Sequence, residues 1–170
     1  MRAGAAIVVC VLTAAACGSS APAGTPDAGV RADFRGGTVY EIFVRSFADS
    51  DGDGIGDLAG VTAHLDYLAN LGVDAIWLMP IFPSPSYHGY DVEDYRAVNP
   101  EYGTLADFDA LVAAAHARHI SVLLDFVLNH ASSQHPWFVD SVDPSSSKRS
   151  YFNWRDTDPG WQSPLGDGDP

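Results

Sequence analysis

The stretch VDAIWLMPIF, Val73 to Phe82, is apolar at nearly every position. A strand with one face in water alternates apolar and polar side chains. An unbroken apolar run marks a strand buried on both faces, which is the habit of a parallel sheet. The fold is read outward from this run.

On its N-terminal side lies DLAGVTAHLDYLANLG, with Leu58, Val61, Leu65, Leu68 and Leu71 at helical spacing and Gly72 as a stop. Before that, TVYEIFVRSF (Thr38 to Phe47) is rich in β-branched and aromatic residues and predicts a strand. On the C-terminal side, TLADFDALVAAAHARH opens with a capping Thr104 and carries Leu105, Phe108, Leu111, Val112 and Ala115 on one face. ISVLLDFVLNH (Ile120 to His130) predicts a further buried strand. The order is strand, helix, strand, helix, strand, with short helix-to-strand connections and long polar loops after the strands. That is α/β architecture with a parallel sheet. A (β/α)8 barrel keeps its active site on such loops, at the C-terminal ends of its strands. A doubly wound sheet gives the same pattern over three strands, so periodicity leaves both open. Residues 131–170 show scattered aromatics and turn residues without a period, and are expected to be mostly loop.

The loop after the first strand, ADSDGDGIGDL (Ala48 to Leu58), threads glycines between four aspartates. Asp49, Asp51, Asp53, Ile55 through its carbonyl, and Asp57 occupy positions 1, 3, 5, 7 and 9 of an EF-hand-like calcium loop, with Gly54 at the sharp turn. Position 12 is Gly60 rather than glutamate, and no helix precedes the loop. The competing reading is a solvated turn in which Asp57 caps the next helix. Four close carboxylates repel one another without a counter-ion, which favours bound Ca2+.

In the loop after the second strand, SYHGYD (Ser86 to Asp91) offers two tyrosines, a histidine and an aspartate around Gly89. Aromatic faces beside polar groups suit a sugar ring and its hydroxyls; tyrosines packed on a barrel rim would look the same. In DFVLNH (Asp125 to His130), Asp125, Val127 and Asn129 share one side of the predicted strand. An aspartate in an apolar strand is costly unless it is paired.

Taken together, VYEIFVRSFADSDGDGIGDL, GVDAIWLMPIFPSPSYHGYDVEDY and NPEYGTLADFDALVAAAHARHISVLLDFVLNHASSQHPWF resemble the N-terminal part of the α-amylase family of glycoside hydrolases, over about Thr38 to Trp161. The resemblance implies the first three βα units of a (β/α)8 barrel (residues 38–130) and the start of a domain inserted after the third strand (131–170). It implies retaining action on α-glucosidic bonds in starch-like glucans or maltooligosaccharides. It implies that Tyr90 stacks under the sugar, that His88 and His130 bind its hydroxyls, that Asp91 is a subsite aspartate and that Asp125 holds the site together. Asn129 becomes a candidate ligand of a second, different structural calcium, as in many amylases, and the aspartate loop matches the calcium site of the α-glucosidase-like branch. A monomer is expected for the full-length parent.

The formal net charge of −13 argues against nucleic acid as a partner, since nothing here could neutralise phosphates. Met1 to Cys17 carries one arginine and then an apolar run too short to span a bilayer, ending in small residues, and reads as a secretory signal. Its end resembles a bacterial lipobox with Cys17 as the lipidated residue, so the protein is expected to be exported and either lipid-anchored or secreted. Residues 18–37, rich in Gly, Ala, Pro and Ser, are expected to form a disordered tether. Cys10 and Cys17 are the only cysteines, which excludes a disulfide or a zinc–thiolate site in the mature domain.

Retaining hydrolysis needs two carboxyl groups about 5 Å apart. In the family these lie on the fourth and fifth strands, and a barrel of this kind takes about 250 residues. The nucleophile and the acid/base are accordingly expected beyond Pro170, with neither of them among the residues of this chain. The chain is therefore expected to be a truncated, inactive and poorly folded piece of an α-amylase. An α-glucosidase, oligo-1,6-glucosidase or trehalose-forming relative is the nearest alternative. The histidine in SYHGYD resembles amylases more than the acidic loop of oligo-1,6-glucosidases. A non-catalytic carbohydrate-binding protein is the alternative from another class.

Overall fold

The computed structural model describes residues 36–157 and residue 160. The expected signal segment with Cys17, most of the expected tether and residues 161–170 lie outside the described residues. Pro170, beyond which the catalytic carboxyls are expected, is among those outside. Three parallel strands, β1 (Val39–Ile42), β2 (Ala75–Leu78) and β3 (Ser121–Leu124), form one sheet in the order β1-β2-β3. Their register aligns Val39, Ala75 and Ser121 at one end and Ile42, Leu78 and Leu124 at the other.

The strands are shorter than the apolar runs that predict them. The run ending at Phe47 pairs only as far as Ile42, and its last residues turn into a one-turn helix α1 (Val44–Phe47). Of Val73–Phe82, four residues pair. Of Ile120–His130, the strand ends at Leu124, so Asp125, Val127 and Asn129 do not share one strand face.

The expectation of burial on both faces holds for one face. Ile42, Ile76 and Leu78 are buried under the helices with Leu58, Val61, Leu65, Leu68 and Leu111. On the opposite face Ala75 and Ser121 are buried, but Trp77, in register with Glu41 and Leu123, is 39% exposed, and Val39 is 45% exposed. Three strands span too little arc to wrap round their own inner face.

The first predicted helix is two: α2 (Leu58–Ala63) and α3 (Leu65–Asn70), broken at His64, whose Nδ1 lies 2.8 Å from the Gly60 carbonyl. Leu58, Val61, Leu65 and Leu68 are buried as their spacing requires, whereas Leu71 is exposed. The helix α4 (Leu105–His116) begins at Thr104 with a full capping box, Thr104 and Asp107 each bonding the other's backbone amide. Its Leu111 and Ala115 are buried, and Leu105 is exposed. In the region expected to be mostly loop, α5 (Pro136–Ser141) starts with His135 as N-cap and Pro136 in the first turn, and a 3-10 turn covers Arg149–Tyr151. No described helix is long and apolar enough to cross a membrane.

A second cluster, Phe82, Val92 and Val127 with Tyr90, Tyr95 and Leu124 beside it, lies just past the C-terminal ends of β2 and β3. Amides bridge the loop to the rest of the fold here: Asn99 N–H donates to Ile81 O (2.7 Å) and Ser132 N–H to Val92 O (3.0 Å). This cluster holds the SYHGYD loop over the strand ends.

Candidate functional site

The Asp125 amide donates to Leu78 O at 2.9 Å, one step beyond the β3 ladder, which sets the Asp125 side chain at the C-terminal rim of the sheet. There Tyr90 Oη donates to Asp125 Oδ2 at 2.8 Å. This bond to a charged acceptor raises the Tyr90 hydroxyl above its usual value, with burial and the negative charges of Asp125 and Glu41 acting the same way. The costly aspartate foreseen in the strand is therefore paired, and its partner orients the tyrosine ring.

The His88 ring lies beside Tyr90, with centroids 6.1 Å apart and planes at 32°, and its Nδ1 accepts the Tyr90 amide at 3.1 Å. His88 Nδ1 also stands 4.0 Å from Asp91 Oδ1. Asp91 is half-buried, and its two oxygens accept the hydroxyls of Ser84 and Ser86. Burial pushes its carboxyl up, but the two serine bonds and nearby His88 outweigh that and leave it below the usual carboxylate value.

His130 is placed apart from this group. Its ring is exposed, with Asn129 Nδ2 3.4 Å from its Nδ1, and both residues line a depression with Phe126, Leu128, Trp137 and Tyr151. Among the described residues no hydrogen bond joins the His130 ring to His88, Tyr90 or Asp125. The structure thus brings Tyr90, His88, Asp91 and Asp125 together and leaves His130 and Asn129 at the rim.

Sequence reasoning passed over three contributors. Tyr95 Oη reaches the carbonyls of Val127 (2.7 Å) and His130 (3.0 Å) and so fastens the segment after β3. Ser84 and Ser86 grip Asp91; their spacing in PSPS was the available signal, but serines in a loop are too common to stand out.

In the aspartate loop, ligand oxygens of Asp49, Asp51 and Asp57 lie within 4.8 Å of one another. Asp53 is not part of this trio; its Oδ1 accepts the Ile55 amide at 2.7 Å. Asp49 accepts amides from Asp51, Gly52 and Gly54 at 3.1, 2.7 and 2.8 Å, and the bonds from Gly52 and Gly54 do most to hold its carboxyl below the usual value. Asp57 also caps α2, accepting Gly60 N–H at 2.6 Å, and takes both the amide and the hydroxyl of Ser50. The two readings of this loop are compatible, because Asp57 Oδ1 takes only the Gly60 amide and Asp49 Oδ2 only the Gly54 amide, so each keeps a lone pair to offer. An all-oxygen set of three clustered carboxylates fits a hard cation such as Ca2+. The structure also explains why position 12 is glycine: a Cβ on Gly60 would stand 2.1 Å from the Ala48 carbonyl.

The parallel βα units of this chain are matched in known proteins. Residues 41–167 match the alpha amylase catalytic domain. The chain belongs to the α-amylase family. It is 53% identical over 133 residues to Alpha-amylase 3 of Dictyoglomus thermophilum, covering 78% of this chain and 27% of that protein. It is 48% identical over 139 residues to the trehalose-6-phosphate hydrolase of Escherichia coli, covering 78% of this chain and 25% of that protein. Among solved structures, the alpha-amylase from H. orenii superposes with a TM-score of 0.69 at 59% identity, covering 72% of this chain and 27% of that one. The chain thus spans about a quarter of the length of these α-amylase relatives, and its sheet is the start of the family's (β/α)8 barrel.

Proposed function

We propose that this chain carries the sugar-facing N-terminal part of an α-amylase-type glycosidase acting with retention on α-glucosidic bonds of starch-like glucans. The observation that carries the reading is the Tyr90–Asp125 pair at the C-terminal rim, with the His88 ring beside it and Asp91 behind. A pyranose presents an apolar C–H face to an aromatic ring and hydroxyl edges to acceptors. Tyr90 would supply the face, and His88 and Asp91 the polar contacts. His130, with Asn129 at the rim, would meet a further part of the glucan. By family resemblance the nucleophile and acid/base belong to the fourth and fifth strands, and the described residues form the first three, so those residues would bind sugar without cleaving it.

Asp49, Asp51 and Asp57 would hold Ca2+ and pin the connection between β1 and α2. Calcium there would be structural: it would screen three carboxylates and fix the loop. Export suits a polymer substrate that cannot enter the cell, and Cys17 would be the lipid attachment point of an anchored form.

Calorimetry with maltotriose tests the reading. Binding by the purified chain that Tyr90→Ala abolishes, without hydrolysis, supports it. No binding by a folded chain overturns it. Hydrolysis by the chain alone, absent from Tyr90→Ala, overturns the assignment of chemistry to further strands.

A further inference from the structure

Ser84 and Ser86 take no place in the sugar contacts above, yet both point at one of them. Ser84 Oγ donates to Asp91 Oδ1 and Ser86 Oγ to Asp91 Oδ2, so each carboxylate oxygen holds one hydroxyl. The Ser84 hydroxyl has a second acceptor in reach, the Ser86 carbonyl at 3.2 Å. A bond to a charged acceptor is the stronger, so its single proton goes to Asp91. Ser84 Oγ in turn accepts the Ser86 amide at 3.2 Å, and Ser86 O accepts the Gly89 amide at 3.2 Å. Pro83 and Pro85 flank Ser84 and lock φ on both sides of it. The hydroxyls are thus presented from a braced turn.

We propose that Ser84 and Ser86 are positioning residues of the glucan site, fixing the Asp91 carboxylate in one orientation with its remaining lone pairs free to accept sugar hydroxyls. The proposal rests on the glucan reading above. A free carboxylate side chain loses rotamer freedom when a ligand fixes it, and that loss weakens binding; a clamped one has already lost it. Two hydroxyl donors also favour the charged form over the neutral one. That matches an Asp91 carboxyl lying below its usual value despite its burial. The charged or titratable groups near the clamp are His88 at 4.0 Å from Asp91, then Arg45, Tyr87, Glu93 and Glu101, which line one pocket with Ser84 and Ser86, and, through Tyr90, Asp125 and Glu41.

The test uses the full chain and the double variant Ser84→Ala, Ser86→Ala, with Ser86→Thr as the variant that keeps the hydroxyl. Two quantities are read: the Asp91 carboxyl titration by carbon NMR, and maltotriose affinity by calorimetry. In the double variant the Asp91 midpoint should move up and maltotriose should bind about tenfold more weakly. Ser86→Thr should stay near the parent in both. Ser86→Ala alone serves if the double variant does not fold, and should move both quantities in the same direction. An unmoved Asp91 midpoint with maltotriose binding intact overturns the clamp and leaves the glucan reading standing. Failure of the parent chain to bind maltotriose overturns the glucan reading, and this proposal with it.

Discussion

Replacing Tyr90 with phenylalanine keeps the ring and deletes one hydroxyl, so it isolates the bond to Asp125. That bond runs 2.8 Å from a half-buried phenol to a half-buried carboxylate. Hydrogen bonds to charged groups contribute about 1.5–3 kcal/mol when intact. Water can reach part of the Asp125 carboxylate after the substitution, which places the expected cost toward the lower end, about 1–2 kcal/mol. For a domain of this size such a loss lowers Tm by roughly 4–8 °C. Urea and thermal unfolding of the parent, Tyr90→Phe, Asp125→Asn and the double variant give the coupling between the two side chains directly. The two single losses should fail to add, leaving a coupling of about 1 kcal/mol or more. The sugar-binding side gives a second readout: Tyr90→Phe should weaken maltotriose less than Tyr90→Ala, because stacking survives. Additive single losses would refute the pairing as a stabilising unit. Equal effects of Phe and Ala on maltotriose affinity would refute the stacking role.

Other outcomes follow from the same contacts. Gly60→Ala should destabilise by about 1–3 kcal/mol, since the new methyl meets the Ala48 carbonyl at 2.1 Å and α2 must move off α1; an unchanged urea midpoint would show the approach is looser. Thr104→Ala should cost about 1 kcal/mol by removing the α4 capping box, readable as a lower unfolding midpoint. Calcium titration of the chain should give heat for about one site, lost in Asp51→Ala, and calcium at 100-fold over its dissociation constant should raise stability by about 2.7 kcal/mol. Absence of heat in a folded sample would remove the metal from this loop. The Asp91 and Asp57 carboxyls lie below the ordinary value of 3.8, so the unfolded chain binds protons more readily than the folded one. Their contribution should be complete above that ordinary value and fade as pH falls through the lowered folded values. Acid unfolding followed by circular dichroism would show it, and the Ser84→Ala, Ser86→Ala variant should lose the Asp91 share.

Of the fold, the repeating features were legible. Leu58, Val61, Leu65 and Leu68 announced the helical layer because burial on one face imposes a period, and Thr104 announced the start of α4 because an orphaned amide there needs an acceptor. The ends of the elements were less legible. β1 stops at Ile42 although VRSF continues in strand-like residues, because α1 must turn the chain into the aspartate loop. A four-residue helix has too few turns to leave a period. The helix α5 was overlooked for the same reason: its signal is a single proline after a capping histidine, inside a stretch with no periodicity.

The sequence alone determined residue chemistry and local spacing: four aspartates alternating with glycines, an aromatic pair around His88, an aspartate closing an apolar run. Such patterns are local, and local sterics and hydrogen bonding suffice to specify them. Which of these groups meet was decided only by the tertiary structure. Asp49, Asp51 and Asp57 converge while Asp53 turns to the Ile55 amide. Tyr90 finds Asp125 across 35 residues of chain, and His130 stays at the rim. The Tyr90–Asp125 pairing and the place of His130 depend on the parallel register of β2 and β3 and on the Phe82–Val92–Val127 cluster beneath the loop. Packing between distant segments sets that geometry, and no local period in the sequence records it.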